Sequence, residues 1–480
     1  MSDSGTAELR QDVLVRLVRA FFSDNFEENA RLIPYDMRPK GSDVPFRCCI
    51  YKERAIIRDR VIAGLGFPIE DDNEETLLSE YAKKSVEREQ TDDKILTVIG
   101  AACKGCVPNR MYVTNICQGC IARSCQRACK FGAIEIINGK SHIDSSKCKN
   151  CKMCMNACPY NAIVKIAVPC EDSCPIGAIE KDETGHAKID QDKCISCGRC
   201  VKRCPFGAIN EKSQLVDIMK NIKDKNEIIA MIAPSIAGQF KGSIYQLKTA
   251  MIKAGFTDVY EVAQGADITT RKESAEFKER MEKGEQFMTT SCCAGYNSLR
   301  KKHLTEINKF ASDTETPMYY IAEIVKEKHP NAKLVFVSPC VAKRREVQEN
   351  KNVDYLINYI ELQALLTGRD IKVEECEETM FDVESSKQGR NFGVTGGVAN
   401  AVETLAGDDS HIKPFIINGL NKDTIKQLKK CAKDGVCAEG NLIEVMCCEG
   451  GCIGGNAAIE QPRIIKKGLQ TLLDKSENIK

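Results

Sequence analysis

Cysteine is the residue type through which this chain can do chemistry. There are 27 cysteines in 480 residues, grouped at spacings that suit soft-metal ligation. Near the carboxyl end, Glu-Val-Met-Cys-Cys-Glu-Gly-Gly-Cys-Ile-Gly-Gly runs from Glu444 to Gly455 and places Cys447, Cys448 and Cys452 on a glycine-rich turn. Such a turn lets backbone close in on a bulky inorganic ligand, and thiolates there suit iron or zinc. The bland alternative is a group of buried thiols acting as small hydrophobes. Two further segments, Thr290-Ser-Cys-Cys-Ala-Gly-Tyr296 and Ser338-Pro-Cys-Val-Ala-Lys-Arg-Arg-Glu346, shift the balance toward ligation.

A second cysteine system lies upstream, where the sequence repeats between Cys103 and Cys204. Cys117, Cys120, Cys125 and Cys129 are followed by Phe-Gly-Ala-Ile. Cys148, Cys151, Cys154 and Cys158 close with Pro159 and Asn-Ala-Ile, and Cys194, Cys197, Cys200 and Cys204 close with Pro205 and Phe-Gly-Ala-Ile. A shortened copy, Cys170 and Cys174 with Pro175-Ile-Gly-Ala-Ile, sits between them. A zinc ribbon competes with an iron-sulfur reading, but zinc sites use paired cysteines and need neither the third regular cysteine nor the proline. So many ligands in about a hundred residues describe a wire of clusters.

The elements that must hold these residues follow from apolar periodicity. Gln286 to Thr289, Lys333 to Val337 and Leu442 to Met446 read as short buried strands, each delivering one C-terminal motif, so all three are expected at the carboxyl edge of one open α/β sheet. Ile228 to Ile232 reads as another strand, ending at Ala233-Pro234-Ser235, followed by a helix over Gln246 to Ala254 and a strand over Val259 to Val262. Gly393-Val-Thr-Gly-Gly opens a helix without the glycine spacing of a nucleotide loop, so no nucleotide is assigned to it. In the cysteine-rich stretch, Asn138-Gly139 predicts a two-residue hairpin turn between Ala133 to Ile137 and Ser141 to Ile143.

The predicted class is α/β multidomain. Residues 1–92 should form a small helical domain, with helices over Asp12 to Phe22 and Arg54 to Gly64 and with Pro34, Pro39, Gly41 and Pro45 breaking the pattern between them. Cys48 and Cys49 there read as buried or incidental thiols. Glu87 to Asp93 is a candidate linker. Residues 93–212 form the iron-sulfur region, of ferredoxin-like α+β type, and residues 213–480 an α/β domain entered through a polar helical linker at Gln214 to Lys225. With 42% hydrophobic residues the chain can fill its cores, and a net charge of +1 makes no case for nucleic acid or membrane as partner. No apolar run reaches a bilayer's width and the amino terminus lacks a signal-peptide pattern, so a cytoplasmic protein is expected, in which the cysteines serve metal rather than disulfides.

The three C-terminal motifs resemble, in order, the signature motifs of the iron-only, or [FeFe], hydrogenases, and the upstream runs resemble bacterial ferredoxins with two 4Fe-4S clusters. The ferredoxin likeness, in which the fourth cysteine reaches across to the other cluster, implies Cys117, Cys120 and Cys125 with Cys158, Cys148, Cys151 and Cys154 with Cys129, and Cys194, Cys197 and Cys200 with Cys174. Cys103, Cys106, Cys170 and Cys204 remain for a fourth cluster, or Cys103 and Cys106 for a free pair. Lys130 stands where a proline is expected.

The hydrogenase likeness implies an H-cluster, a 4Fe-4S cubane joined to a two-iron unit carrying carbon monoxide, cyanide and a dithiolate, with cubane ligands Cys293, Cys340, Cys448 and Cys452. It also implies a proton-relay thiol at Cys292, a relay continuing through Ser312, Glu276 and Glu273, cyanide pairing by Lys343, and contacts to the two-iron unit from Met446, Ala233 and Pro234. The two glutamates can equally be a solvated helix face. Ala294, Tyr296, Ser338, Met318, Cys447, Asn456 and Ala457 depart from the family's usual residues and mark a divergent subgroup. Cys376, Cys431 and Cys437 are left over as buried or surface thiols. The implied activity is reversible oxidation of H2 to protons and electrons, with a ferredoxin or similar soluble carrier as redox partner and maturation proteins supplying the two-iron unit. A non-catalytic iron-sulfur assembly or H2-sensing protein is the alternative.

Overall fold

The structure is a computed structural model that describes residues 4–41, 47–89, 93–107, 110–407 and 411–479. Four helices come first, α1 (Ser4–Phe21), α2 (Phe26–Met37), α3 (Ile50–Gly64) and α4 (Leu78–Glu87). Pro34 does not break the pattern as expected but lies inside α2, close enough to its end that the helix loses only a late bond. Pro45 and part of the expected linker, residues 90–92, lie outside the described residues. Leu14, Leu17, Val18, Val61, Ile62 and Leu65 from these helices share one hydrophobic core with residues of the last lobe, among them Ile218, Ile232, Leu362 and Leu365.

The cysteine-rich region holds two units of one design. In the first, β2 (Arg110–Val113), α5 (Ser124–Ala128), the hairpin β3 (Ile134–Ile137) and β4 (Lys140–Ile143), α6 (Met153–Ala157) and β5 (Ile163–Ile166) follow in order, and β2 pairs antiparallel with β5. In the second, β1 (Leu96–Val98) precedes the whole of the first, and α7 (Pro169–Ser173), the hairpin β6 (Ile179–Lys181) and β7 (Ala187–Ile189), α8 (Arg199–Arg203) and β8 (Ile209–Glu211) follow it. β1 pairs antiparallel with β8. The first unit is thus an insertion between the first strand and first helix of the second. Asn138 and Gly139 turn the β3–β4 hairpin with φ of 48° and 77°, the doubly left-handed turn their sequence favours.

α9 (Leu215–Lys223) then enters the last lobe. It is no polar linker: Leu215, Val216, Asp217, Ile218, Met219 and Asn221 are buried, and only Lys220, Ile222 and Lys223 toward its end meet water. Alternate residues of β9 (Ile228–Ile232) feed two different cores, Ile228, Ala230 and Ile232 on one face and Ile229 and Met231 on the other, as a strand covered on both sides must. After α10 (Ile244–Ala254) come β10 (Asp258–Glu261), α11 (Val262–Glu282), β11 (Met288–Thr289), α12 (Ala294–His303), α13 (Pro317–Lys328), β12 (Lys333–Val337), α14 (Lys343–Glu349), β13 (Tyr355–Ile357) and α15 (Tyr359–Gly368). α16 (Lys387–Asn391), α17 (Gly397–Ala406), β14 (Pro414–Asn418), α18 (Lys422–Asp434), β15 (Leu442–Met446) and α19 (Pro462–Leu473) complete the chain.

The expected single sheet is in fact two, both parallel. One has the order β10-β9-β12-β13 and the other β11-β15-β14. Leu442 and Val445 are buried as completely as Leu334 and Val335, so burial pattern alone could not assign each strand to its sheet. The C-terminal motifs therefore approach from two sheets and meet between them.

Candidate active site

Each parallel strand ends where its motif begins, as ligand-holding loops of α/β proteins do. β11 leads to Cys292 and Cys293, β12 to Cys340, β15 to Cys447, Cys448 and Cys452, and β9 to Ala233 and Pro234. The sulfurs of Cys293, Cys340, Cys448 and Cys452 lie within one another's electrostatic reach in a buried pocket. Burial pushes Cys340 well above an ordinary thiol and Cys452 up to about 12, and the neighbouring sulfurs add to both shifts. Cys448 is the exception: a hydrogen bond from Cys447 lowers it in spite of burial. The glycine turn closes tightly around this group. A Cβ at Gly451, φ +84°, would meet the Thr395 backbone nitrogen at 2.7 Å, and one at Gly454 would meet the Glu449 carbonyl at 2.0 Å.

Spacing discriminates between metals. Four sulfurs about 2.3 Å from a single tetrahedral zinc would stand roughly 3.8 Å apart. Among the described residues, the one group whose metal-ligating atoms all approach within 4.8 Å is Cys431, Cys437 and Glu439, at the far end of α18. The four-cysteine pocket is wider than one ion requires, and four soft donors spread in this way suit a cluster rather than a single ion.

Cys292 is packed with Met446, Phe392 and Val398 beside the pocket. Burial, Glu273, Glu444 and the neighbouring sulfurs push its thiol well up. Glu273, on α11, is itself fully buried: its Oε1 accepts the Ser291 N–H at 3.3 Å, and burial pushes its carboxyl up to about 8. Ser312 faces Glu273 and donates to Glu276 Oε2 at 2.6 Å. Burial raises Glu276, but hydrogen bonds from Ser312, the Asp313 N–H and Thr314, together with Arg280, outweigh it and hold the group below the usual range. Ser312 and Asp313 line an open cleft of about 710 Å³. The structure thus brings Cys292, Glu273, Ser312 and Glu276 into one file from the pocket to solvent. Glu273 Oε2 and Thr290 Oγ1 are buried there without a partner among the described residues.

Lys343, at the start of α14, is buried next to the pocket with its ammonium 2.8 Å from Glu346 Oε1. Burial opposes its charge, yet Glu346 and the Cys340 and Cys292 sulfurs leave its pKa raised. Ala233 and Pro234 follow β9, where the Ala233 N–H donates to the Val337 carbonyl and ties this turn to the strand leading to Cys340. Sequence reasoning missed Glu346 and Glu444. The Glu444 carboxylate accepts from the Gly396 and Ala399 N–H groups at 2.7 and 2.9 Å, so it caps α17 and occupies the helix terminus that the Gly393 turn presents. Its place within a strand hid that role.

In the cysteine-rich region the four cysteines preceding Pro or Lys repeat one contact. Cys129, Cys158, Cys174 and Cys204 each accept, at sulfur, the backbone N–H of the alanine four residues on, at 3.4, 3.4, 3.2 and 3.4 Å. Cys154 lies near Cys148 and Cys129, and Cys200 near Cys194, Cys197 and Cys174 and also near Cys170, so in each unit members of one expected set are near its cross-paired cysteine. Cys170 lies near Cys204; Cys103 and Cys204 pack against one small core, and Cys103 and Cys106 against the core that contains Cys170, following β1 as Cys117 and Cys120 follow β2 in the first unit. Cys48 is exposed and Cys49 caps α3, while Cys376, Cys431 and Cys437 are buried. Among the described residues no helix is long and apolar enough to cross a membrane.

Residues 226–456 match the family described as iron only hydrogenase large subunit, C-terminal domain, and residues 141–164 and 187–210 each match a 4Fe-4S binding domain. Iron hydrogenase 1 of Clostridium pasteurianum is 28% identical over 321 residues, 55% of this chain and 55% of that one. The periplasmic [Fe] hydrogenase large subunit of Nitratidesulfovibrio vulgaris is 28% identical over 381 residues, 68% of this chain and 87% of its own. A probable cytosolic Fe-S cluster assembly factor of Drosophila persimilis is 25% identical over 249 residues, 40% of this chain and 52% of its own. The chain spans about half the length of the clostridial relative. The last lobe thus matches the C-terminal domain of iron-only hydrogenase large subunits, with 4Fe-4S binding domains ahead of it.

Proposed function

We propose that the protein catalyses reversible oxidation of H2 to two protons and two electrons. Cys293, Cys340, Cys448 and Cys452 would hold the cubane of an H-cluster, with Cys452 toward the two-iron unit, and Lys343, Met446, Ala233 and Pro234 would line that unit. When bound, the centre supplies the iron position and bridging base at which H2 is split or formed, while accessory cubanes supply one-electron carriers. The chain supplies the proton route. Cys292 takes or gives a proton at Sγ, and Glu273, Ser312 and Glu276 carry it to the cleft. Two carboxyls of opposite disposition suit this, since buried Glu273 keeps a proton near neutral pH and Glu276 does not. The observation that carries the reading is the succession Cys292, Glu273, Ser312 and Glu276 between a four-cysteine pocket and an open cleft, each group within electrostatic or hydrogen-bonding reach of the next.

Four accessory cubanes are proposed on the sets Cys117, Cys120, Cys125 and Cys158; Cys148, Cys151, Cys154 and Cys129; Cys194, Cys197, Cys200 and Cys174; and Cys103, Cys106, Cys170 and Cys204. Division into residues 1–92, 93–212 and 213–480 assigns these to the middle region. Residues 110–165 carry nine Lys and Arg against two Asp and Glu and expose Cys151. That charge favours an acidic soluble carrier such as a ferredoxin. A cytoplasmic setting and maturation proteins complete the proposal.

The likeness to the Drosophila assembly factor supports a second reading, in which cubanes are held without hydrogen turnover. Infrared spectroscopy on protein matured in an anaerobic host separates the two. Carbon monoxide and cyanide bands together with H2 uptake are expected. Cubanes with no such bands after successful maturation of a control hydrogenase would leave the second reading standing.

A further inference from the structure

Cys431 and Cys437, two cysteines that belong to none of the proposed cluster sets, come together at the end of α18, and Glu439 joins them. α18 carries Cys431 in its last turn, and Gly435, with φ +69°, ends the helix and donates its N–H to the Cys431 carbonyl at 3.0 Å. That left-handed residue turns the chain back, so that Cys437 returns to the helix end. The ligating atoms of Cys431, Cys437 and Glu439 all lie within 4.8 Å of one another. Cys437 donates its S–H to Glu439 Oε2 at 3.3 Å, and Glu439 Oε1 accepts from the Gln427 amide at 2.9 Å. Gln427 stands one turn before Cys431 on the same face of α18. Both cysteines share a core with Ile425 and Leu428, whereas Glu439 is exposed, so the group is shielded behind and open to water in front.

Around one tetrahedral zinc, with Zn–S of about 2.3 Å and Zn–O of about 2.1 Å, two sulfurs stand roughly 3.8 Å apart and a sulfur and an oxygen roughly 3.6 Å. The Cys437 to Glu439 contact is already at that length, and closing by roughly 1 Å brings the remaining atoms to it. Thiols buried only as small hydrophobes would need no carboxylate aimed at one of them with its second oxygen held by an amide. Two thiolates favour zinc over magnesium or calcium, and zinc also outranks ferrous iron in affinity for such donors. We propose that Cys431, Cys437 and Glu439 form a zinc site, with water in the fourth position and Gln427 orienting the carboxylate. Binding forms two Zn–S bonds and one Zn–O bond and breaks two S–H bonds; both protons go to water and no electron is transferred. The ion ties the end of α18 to the loop that enters β15 at Leu442. The site is separate from every cysteine proposed to bind iron, and it stands whether or not those assignments hold.

The test uses the full chain, purified without oxygen with its iron-sulfur clusters in place, equilibrated with zinc sulfate and freed of excess metal by gel filtration. One zinc per chain is expected, and X-ray absorption at the zinc edge should give two sulfurs at about 2.3 Å and two lighter ligands at about 2.0 to 2.2 Å. Cys437→Ala should lose the ion. Glu439→Gln, at an exposed position that the fold does not need, should weaken zinc binding by about tenfold or more with iron content unchanged. A wild-type chain that retains no zinc, zinc bound by four sulfurs, or Cys431 and Cys437 joined as a disulfide in the anaerobic protein would each overturn the proposal. So would zinc retained in Cys437→Ala. Should Cys437→Ala lose iron as well, Glu439→Gln decides, and undiminished zinc affinity there would overturn the proposal.

Discussion

The cysteine-rich region and the last lobe both gather sulfur, by opposite constructions. In the first, most ligands come in short repeats whose successive cysteines are separated by two to four residues, completed by cysteines from other copies, and the N–H of an alanine four residues on bonds to the sulfur that ends each of the four copies. In the second, ligands arrive from the ends of three strands in two sheets, separated by as much as 159 residues between Cys293 and Cys452. Local repetition lets a cluster be held with little core: the first unit buries a compact group such as Met111, Cys125, Ile134, Cys154 and Ile163. The distributed site needs two packed sheets before any ligand is in place, and in exchange can surround its centre with groups no repeat supplies, a buried ammonium and two buried carboxyls among them.

Removing one ligand from each construction separates them most sharply. Cys448→Ser should abolish H2 turnover and the carbon monoxide and cyanide bands, with iron content down by about six atoms per chain, four from the cubane and two from the unit joined to it. Cys151→Ser should lose about four from the accessory region and leave those bands intact. Bands that vanish in Cys151→Ser would mean that the two constructions do not assemble independently.

Proton delivery belongs to the distributed site alone. Glu276→Gln keeps the shape and the Ser312 contact but cannot carry a proton, so turnover should drop by about 10² to 10³-fold with the infrared bands unchanged. Activity within twofold of wild type would remove Glu276 from the route.

Glu273 gives a gentler effect, read as stability. Its folded pKa of about 8 lies above the ordinary carboxyl value of 4.5. The folded state therefore holds a proton that the unfolded state releases, and the associated stability is complete below about 4.5 and lost as pH rises through about 8. Glu273→Gln has nothing to ionise. In protein carrying cubanes only, its denaturation midpoint should gain on wild type between those limits, by a few kcal/mol at most. Parallel pH curves for the two proteins would contradict a buried, neutral Glu273.

Much of the local construction was legible in the sequence, and much of the distributed one was not. The hairpin at Asn138-Gly139 followed from turn chemistry, and strands such as Lys333–Val337 and Leu442–Met446 from unbroken apolar runs. Periodicity says which face of an element is buried and never against what. Hence α9 was read as a linker although Ile218 and Met219 sit in the shared core, and one sheet was expected where β11 and β15 form a second. The three motifs were recognisable because cysteine is rare and their order is specific. Glu444 and Glu346 were not, since a carboxylate in a strand or on a charged helix has no signature until its partners are in place.

The smallest effect tests how far the local construction depends on sequence detail. Lys130 follows Cys129 where the other three copies have Pro159, Pro175 and Pro205. Proline requires the preceding residue to be extended. Cys158, Cys174 and Cys204 have φ and ψ of −83° and 113°, −79° and 112°, and −76° and 109°, and Cys129, at −84° and 100°, already shares that geometry. The bond from Ala133 to the Cys129 sulfur is made without the proline, at the same 3.4 Å as in two of the other copies. Lys130→Pro should therefore fit and stabilise by about 0.4 to 1 kcal/mol, chiefly by restricting the unfolded chain. Iron content and the resonance signal of the cluster on Cys148, Cys151, Cys154 and Cys129 should not change. A destabilised variant would mean that the Lys130 N–H or its φ is needed, and that this copy is built differently from the rest.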